Sequence, residues 1–149
     1  MSCVMSFTGD HVDVDALAAM CPVQTQVIFR KGEARSNRPS ARLSVTSGVS
    51  FVVSEADFGD FTTQKEDVIA FLSRHTEALA KMRELPGVEH AVIDFAIDMR
   101  NVIYQFDRFE AKLIAAIAPL RLDLELSQYP AATKSKRLKQ YRRALRKNS

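Results

Sequence analysis

Apolar residues recur at two spacings along this chain, every second position in some stretches and every third or fourth in others. Cys3 to Phe7 alternates weakly and stops at Thr8-Gly9-Asp10, which predicts a first strand. Asp13 is placed to cap a short helix through Leu17 and Met20, stopped by Pro22. Gln24 to Phe29 is rich in strand formers and runs into the polar loop 30–39. A second extended stretch carries Leu43, Val45, Phe51 and Val53, bent around Ser47-Gly48.

The strongest helical period spans Gln64 to Leu85, with Val68, Leu72, Leu79 and Met82 as its inward stripe. Thr63 and Glu66 match a capping box at its start, and Pro86-Gly87 stops it. Val88 to Met99 then alternates. Ala91, Ile93, Phe95, Ile97 and Met99 take one face, and His90, Val92, Asp94, Ala96 and Asp98 take the other. Val102 to Phe106 is expected to extend or pair with that strand. Asp107 is expected to cap a third helix with Phe109, Leu113, Ile114 and Ile117 inside, ending at Pro119. The last strand sets Leu122, Leu124 and Leu126 against Asp123 and Glu125, and Tyr129-Pro130 closes the body.

The order is therefore β-α-β-β-α-β, an optional short strand, then α-β. Strands with one polar face fit a two-layer α+β sandwich, a mostly antiparallel sheet with helices on one side. A doubly wound α/β sheet needs strands apolar on both faces. No Gly-rich linker divides residues 1–130, so one domain is expected, followed by segment 131–149.

Composition alters this picture at one place. Residues 131–149 hold Lys134, Lys136, Arg137, Lys139, Arg142, Arg143, Arg146 and Lys147 and no acid. The formal charge of +3 is thus a body near −5 and a segment of +8. Such a split points to a contact of opposite sign. Leu138, Tyr141 and Leu145 put one apolar face on the segment if it is helical, and nucleic acid, an anionic membrane or the acidic face of its own body are then its expected partners; the alternative is a disordered, solubilising segment. With 46% hydrophobic residues the body can form its own core. Apolar runs such as Leu113 to Leu120 are too short to span a bilayer, and the N-terminus has no signal-like region, so a cytoplasmic protein is expected. Cys3 and Cys21 read as buried thiols rather than a disulfide framework.

Gly9-Asp10 followed by Val12-Asp13-Val14-Asp15, Pro22 with Lys31-Gly32-Glu33 downstream, Ser47-Gly48 before an extended run, the long second helix, and Leu122-Asp123-Leu124-Glu125-Leu126 near Tyr129 come in an order that resembles the bacterial family known as domain of unknown function 4279. The resemblance covers residues 3 to 130; Val49 stands where that family often has a Trp after its Ser-Gly. It implies a binding role, of the immunity type found beside toxin genes, and assigns no catalytic residue.

The candidate sites follow from charge and spacing. Asp10, His11, Asp13 and Asp15 crowd together but lack the alternate oxygen ligands, central Gly and distal Glu of a calcium loop, so capping explains them more simply and no metal is expected. His11, His75 and His90 are far apart, with His75 beside the apolar stripe of the long helix, and no spacing pairs a histidine with a cysteine nucleophile. No phosphate loop, dinucleotide fingerprint, nucleophile elbow or paired-Cys zinc pattern is present, so no cofactor is expected and an enzyme is the third reading. Arg30, Lys31, Arg35 and Arg38 surround Gly32 and form a candidate anion-binding loop. Asp94, Asp98, Asp123 and Glu125 fall on strand faces opposite the apolar residues. They form one acidic surface for a basic protein partner if their strands are neighbours. The expected function is a non-enzymatic protein-binding module; the alternative is electrostatic binding of nucleic acid or an anionic surface through Lys136, Arg137, Lys139, Arg142, Arg143, Arg146 and Lys147.

Overall fold

The computed structural model describes residues 2–24, 26–35 and 40–130. Arg38 and the basic segment 131–149 lie outside the described residues. The elements run β1 (Cys3–Gly9), α1 (Val14–Met20), β2 (Gln26–Phe29), β3 (Ser47–Ser54), α2 (Phe61–Glu84), β4 (His90–Met99), α3 (Ala111–Ile117), a 3-10 turn (Ala118–Leu120) and β5 (Asp123–Pro130). This is the α+β order expected from the alternation. One five-stranded sheet has the order β2-β3-β1-β4-β5. Its pairings are antiparallel except β4 with β5, which run parallel.

Period two assigns the two faces as the sequence implied. Met5, Phe7, Val49, Phe51, Ile93 and Phe95 are buried and meet Leu17 of α1, Val68, Leu72, Leu79 and Met82 of α2, and Leu113 of α3 in one core. Burying each such side chain contributes about 1.5–3 kcal/mol. One aromatic cluster packs against β4, apart from the Phe7, Phe51 and Phe71 rings at β1 and β3. Phe61, Phe95 and Phe109 meet edge to face, with centroids 5.3 to 6.1 Å apart.

Asp13 caps α1 as expected, its Oδ1 accepting from the N–H groups of Asp15 and Ala16. The start of α2 differs from expectation. Asp60, not Thr63, is the cap: Asp60 Oδ1 accepts the Thr63 N–H at 3.1 Å and the Thr63 hydroxyl donates to Oδ2 at 2.7 Å. A capping carboxylate three residues upstream lets the helix gain Phe61, which the aromatic cluster then fixes. Near the middle, His75 leaves the helical region at φ −117°, ψ 18°. The next residue explains it, because the Thr76 hydroxyl donates to the Leu72 carbonyl at 2.7 Å and so enters the backbone ladder.

Three further expectations are corrected. Leu43 and Val45 are exposed and precede β3, which begins at Ser47. Val102 to Phe106 forms no strand, because Arg100, Gln105 and Asp107 bind one another and close that stretch into a loop. For the same reason Asp107 is not a helix cap. The helix starts at Ala111 and leaves Ile114 exposed. Glu110 holds the cap position but makes no cap bond; its Oε1 instead accepts from the buried Lys65 Nζ at 2.7 Å. Lys65 also donates to the Arg108 carbonyl at 2.9 Å and sits 4.7 Å from the centre of the Phe61 ring.

Gly9 and Gly87 are each required where α2 hands over to β4. A Cβ at Gly9 would lie 1.8 Å from the Gly87 carbonyl oxygen, and Gly87 itself takes φ +90° to turn the chain out of α2. Gly9→Ala must displace backbone. It is expected to lower stability by about 3 kcal/mol, read as a lower urea midpoint at unchanged slope.

The Lys65 ammonium holds the Glu110 carboxyl below its usual range, chiefly by the hydrogen bond. A depressed carboxyl stabilises the fold above its unfolded pKa, and that contribution is lost as pH falls through the folded value. Glu110→Gln should therefore remove part of the acid-side dependence of unfolding. Glu110→Ala, which leaves Lys65 buried without its anion, should cost more at neutral pH than Lys65→Met. Urea melts across the acid range check both outcomes.

Candidate functional site

The open face of the sheet is built by β4 and β5. The parallel register sets Val92 beside Asp123, Asp94 beside Glu125, Ala96 beside Ser127 and Asp98 beside Tyr129. Neighbouring strands lie about 4.8 Å apart and alternate residues about 6.6 Å apart, so Asp94, Asp123 and Glu125 share one patch. The expected adjacency of the two strands is present, and three of the four carboxylates converge. Asp98 stands two steps of the alternation further, about 13 Å along β4 from Asp94. Its backbone N–H donates to the Phe58 carbonyl at 3.2 Å, and its carbonyl accepts from Gln105.

The three converging acids differ in setting. Asp123 and Glu125 are exposed. Asp94 is half-buried, with Oδ2 accepting from the Ser127 hydroxyl at 2.9 Å. Its Oδ1 is buried and has no hydrogen-bond partner among the described residues. No Lys or Arg among the described residues forms an ion pair with these three carboxylates. Around them the face is mixed: Val4, Ser6 and Thr8 of β1 and Ser50 and Val52 of β3 are half-buried.

The loop cations and the early acidic cluster turn out to be one arrangement. Arg30 pairs with Asp15 and Lys31 with Asp10, each at 2.8 Å. Arg35 lies 4.3 Å over the Phe29 ring and donates to the Ser44 hydroxyl at 3.2 Å. The Lys31 hydrogen bond and charge hold Asp10 below the usual carboxylate range. Two of the four loop cations are thus neutralised by the acids that the sequence set apart from them. His11 is exposed and the His75 ring packs on Phe71, 4.6 Å between centres.

Cys3 is fully buried, and burial, with Asp94 and Asp67 adding to it, pushes its thiol far above the usual range. A thiol held protonated is a poor nucleophile. Among the described residues no three His, Cys, Asp or Glu side chains are grouped to hold a metal ion. A shallow cleft of about 400 Å³ between the end of α1 and α2 is lined by Met20, Arg74, His75, Glu77, Ala78 and Lys81, with Glu77 held by Lys81 at 2.7 Å.

Ser127 is the neighbour of these acids that sequence reasoning missed. It continues the Asp123–Glu125 alternation by one step, and the signal was there to extend. No family model, curated protein or solved structure matches the chain, so the family resemblance rests on the residues quoted for it.

The settings of the acids predict different costs. Asp123→Lys with Glu125→Lys changes exposed residues and should move stability by no more than about 0.5 kcal/mol. Ser127→Ala takes the donor from a half-buried carboxylate and should cost about 1–3 kcal/mol. Denaturant melts of the two variants give the comparison.

Proposed function

We propose that the protein is a non-enzymatic binding module whose β4–β5 face docks a basic protein partner. The observation that carries this reading is the side-by-side placing of Asp94, Asp123 and Glu125 without a cation from the described residues. Like charges set together on neighbouring strands cost stability, and a basic surface docked on them reverses the sign of that cost. The exposed pair, Asp123 and Glu125, would meet the partner first and raise its association rate. Asp94, braced by Ser127, would set the register of the contact. An immunity-type partner of a bacterial toxin, acting in the cytoplasm, is the form of this reading that the family resemblance suggests.

The second reading is electrostatic binding of nucleic acid or an anionic surface through segment 131–149. Its support is the concentration of eight cations in a chain whose remainder is acidic.

Salt and charge reversal separate the two. A partner purified from source cells should bind the full chain with an affinity that falls as salt rises. That affinity should drop at least about tenfold for Asp123→Lys with Glu125→Lys in calorimetry. Unchanged affinity in the double variant sinks the docking face. Tight binding of a generic DNA duplex, lost steeply with salt, would move the function to the basic segment instead.

A further inference from the structure

The sheet leaves the face opposite its helices uncovered, and the register lays that face out in rows. Phe29 shares a row with Thr8, Asp123 shares the next row with Ser6, and Glu125 lies one row beyond. Between the edges, β1 and β3 carry only small side chains on this face, and Val4, Ser6, Thr8, Ser50 and Val52 are half-buried. The two edges carry opposite charge. At the β2 edge the Phe29 ring lies over Gly48, where a Cβ would come within 3.0 Å of it, and the Arg35 guanidinium stacks 4.3 Å from the centre of that ring. Arg35 is exposed and forms no ion pair among the described residues. Arg42, whose carbonyl accepts the Arg35 N–H, is exposed and likewise forms no such pair. At the β5 edge stand Asp123 and Glu125. Four strand spacings, about 19 Å, separate these edges, against a Debye length of about 8 Å at physiological salt. Within one copy the two charges therefore do not offset each other.

That layout is self-complementary. β1 is the middle strand of the order β2-β3-β1-β4-β5. A two-fold axis beside β1 and parallel to it lays a second sheet face to face on the first. The rotation sets β2 of each copy over β5 of the other and keeps every row at its own level. Arg35 then comes down beside Asp123 and Glu125 at both edges, an isologous contact made twice. Arg121, just before β5, is already held by Glu84 and leaves the two carboxylates to Arg35. Stacked sheets lie about 10 Å apart with strands crossing at about 30°, and the small side chains of β1 and β3 permit that approach. An axis across the strands instead sets each edge on its own copy, so that like charge faces like.

We propose that a second copy of this chain covers the open face, the two sheets packing about β1 with Arg35 of each copy on Asp123 and Glu125 of the other. The proposal rests on the reading of β4–β5 as a docking face and names one occupant of it. Five strands and the eight residues of β5 give a face of about 24 by 26 Å, so the pair buries on the order of 1,200 Å² in total. That is the lower end of specific interfaces, the size of a weak and reversible dimer. Each copy has its core on the opposite face, between sheet and helices, so the pair forms and parts without unfolding.

Sedimentation equilibrium of the full chain should show monomer and dimer in a balance that moves to monomer as salt rises. Arg35→Glu should raise the dissociation constant at least about tenfold, and so should Asp123→Lys with Glu125→Lys. Mixing these two variants sets opposite charges together at both edges. The mixture should therefore dimerise about as tightly as wild type while neither variant does so alone. Rescue on mixing also shows that both variants fold. A wild-type chain that stays monomeric up to about 1 mM overturns the proposal. A dimer that Arg35→Glu leaves unchanged overturns it by giving the acids another cation, and so does a mixture no tighter than its parts. A monomeric chain whose purified basic partner still discriminates against the lysine variant overturns the second copy alone. A dimer rescued by mixing, beside a partner affinity that ignores the acids, upholds the pairing and removes the basic partner.

Discussion

The parallel pairing of β4 with β5 is the constraint from which the rest of this molecule's surface follows. Antiparallel neighbours can be joined by a two-residue turn, but a parallel pair needs a crossover of a dozen residues or more. Here the crossover runs from Arg100 to Leu122 and contains the loop, α3 and the 3-10 turn. Because the strands run the same way, Asp94 falls beside Glu125 at one end and Met99 beside Pro130 at the other. An antiparallel β5 of the same span would have set Asp123 and Glu125 away from Asp94.

A crossover of this length needs fastening, and buried groups provide it. Lys65 reaches from α2 to the Arg108 carbonyl and Glu110, while Phe109 closes on Phe61 and Phe95. Gln64, fully buried one residue earlier, donates to the carbonyls of Asp57 and Ala96 and ties α2 to β4. A buried lysine is costly unless its charge is met, and here a carboxylate, a carbonyl and a ring face meet it. At the far end of the crossover Arg121 takes the left-handed φ of 52°, with Glu84 on its guanidinium and Arg83 donating to its carbonyl. These contacts set the direction in which β5 enters the sheet.

What the chain reveals unaided is whatever depends on neighbours in sequence. Alternation in 88–99 and 122–126 named the inward and outward residues of both strands, and Asp13 was legible as a cap because its partners lie two and three residues on. Most of the failures have the opposite property. Thr63 is the exception: Glu66 completed a capping box with it, and Asp60, just three residues upstream, takes the role instead. Val102 to Phe106 has strand-forming composition, but Arg100 and Asp107, seven positions apart, turn it into a loop. Asp10 and Asp15 resembled a separate acidic cluster because Lys31 and Arg30, which neutralise them, arrive from the loop after β2. The acidic face was half legible: alternation gave the faces, but only the register shows that Asp98 stands apart from the other three.

Charge along the β4–β5 ribbon is therefore ordered rather than balanced. Asp123 and Glu125 lie where β5 begins, and the sequence that follows Pro130 carries eight cations and no acid. Among the described residues no cation pairs with Asp123 or Glu125. The like-charge cost at one end and the apolar exposure at the other each need a separate compensation. A basic protein docked at the first would reverse the like-charge cost there.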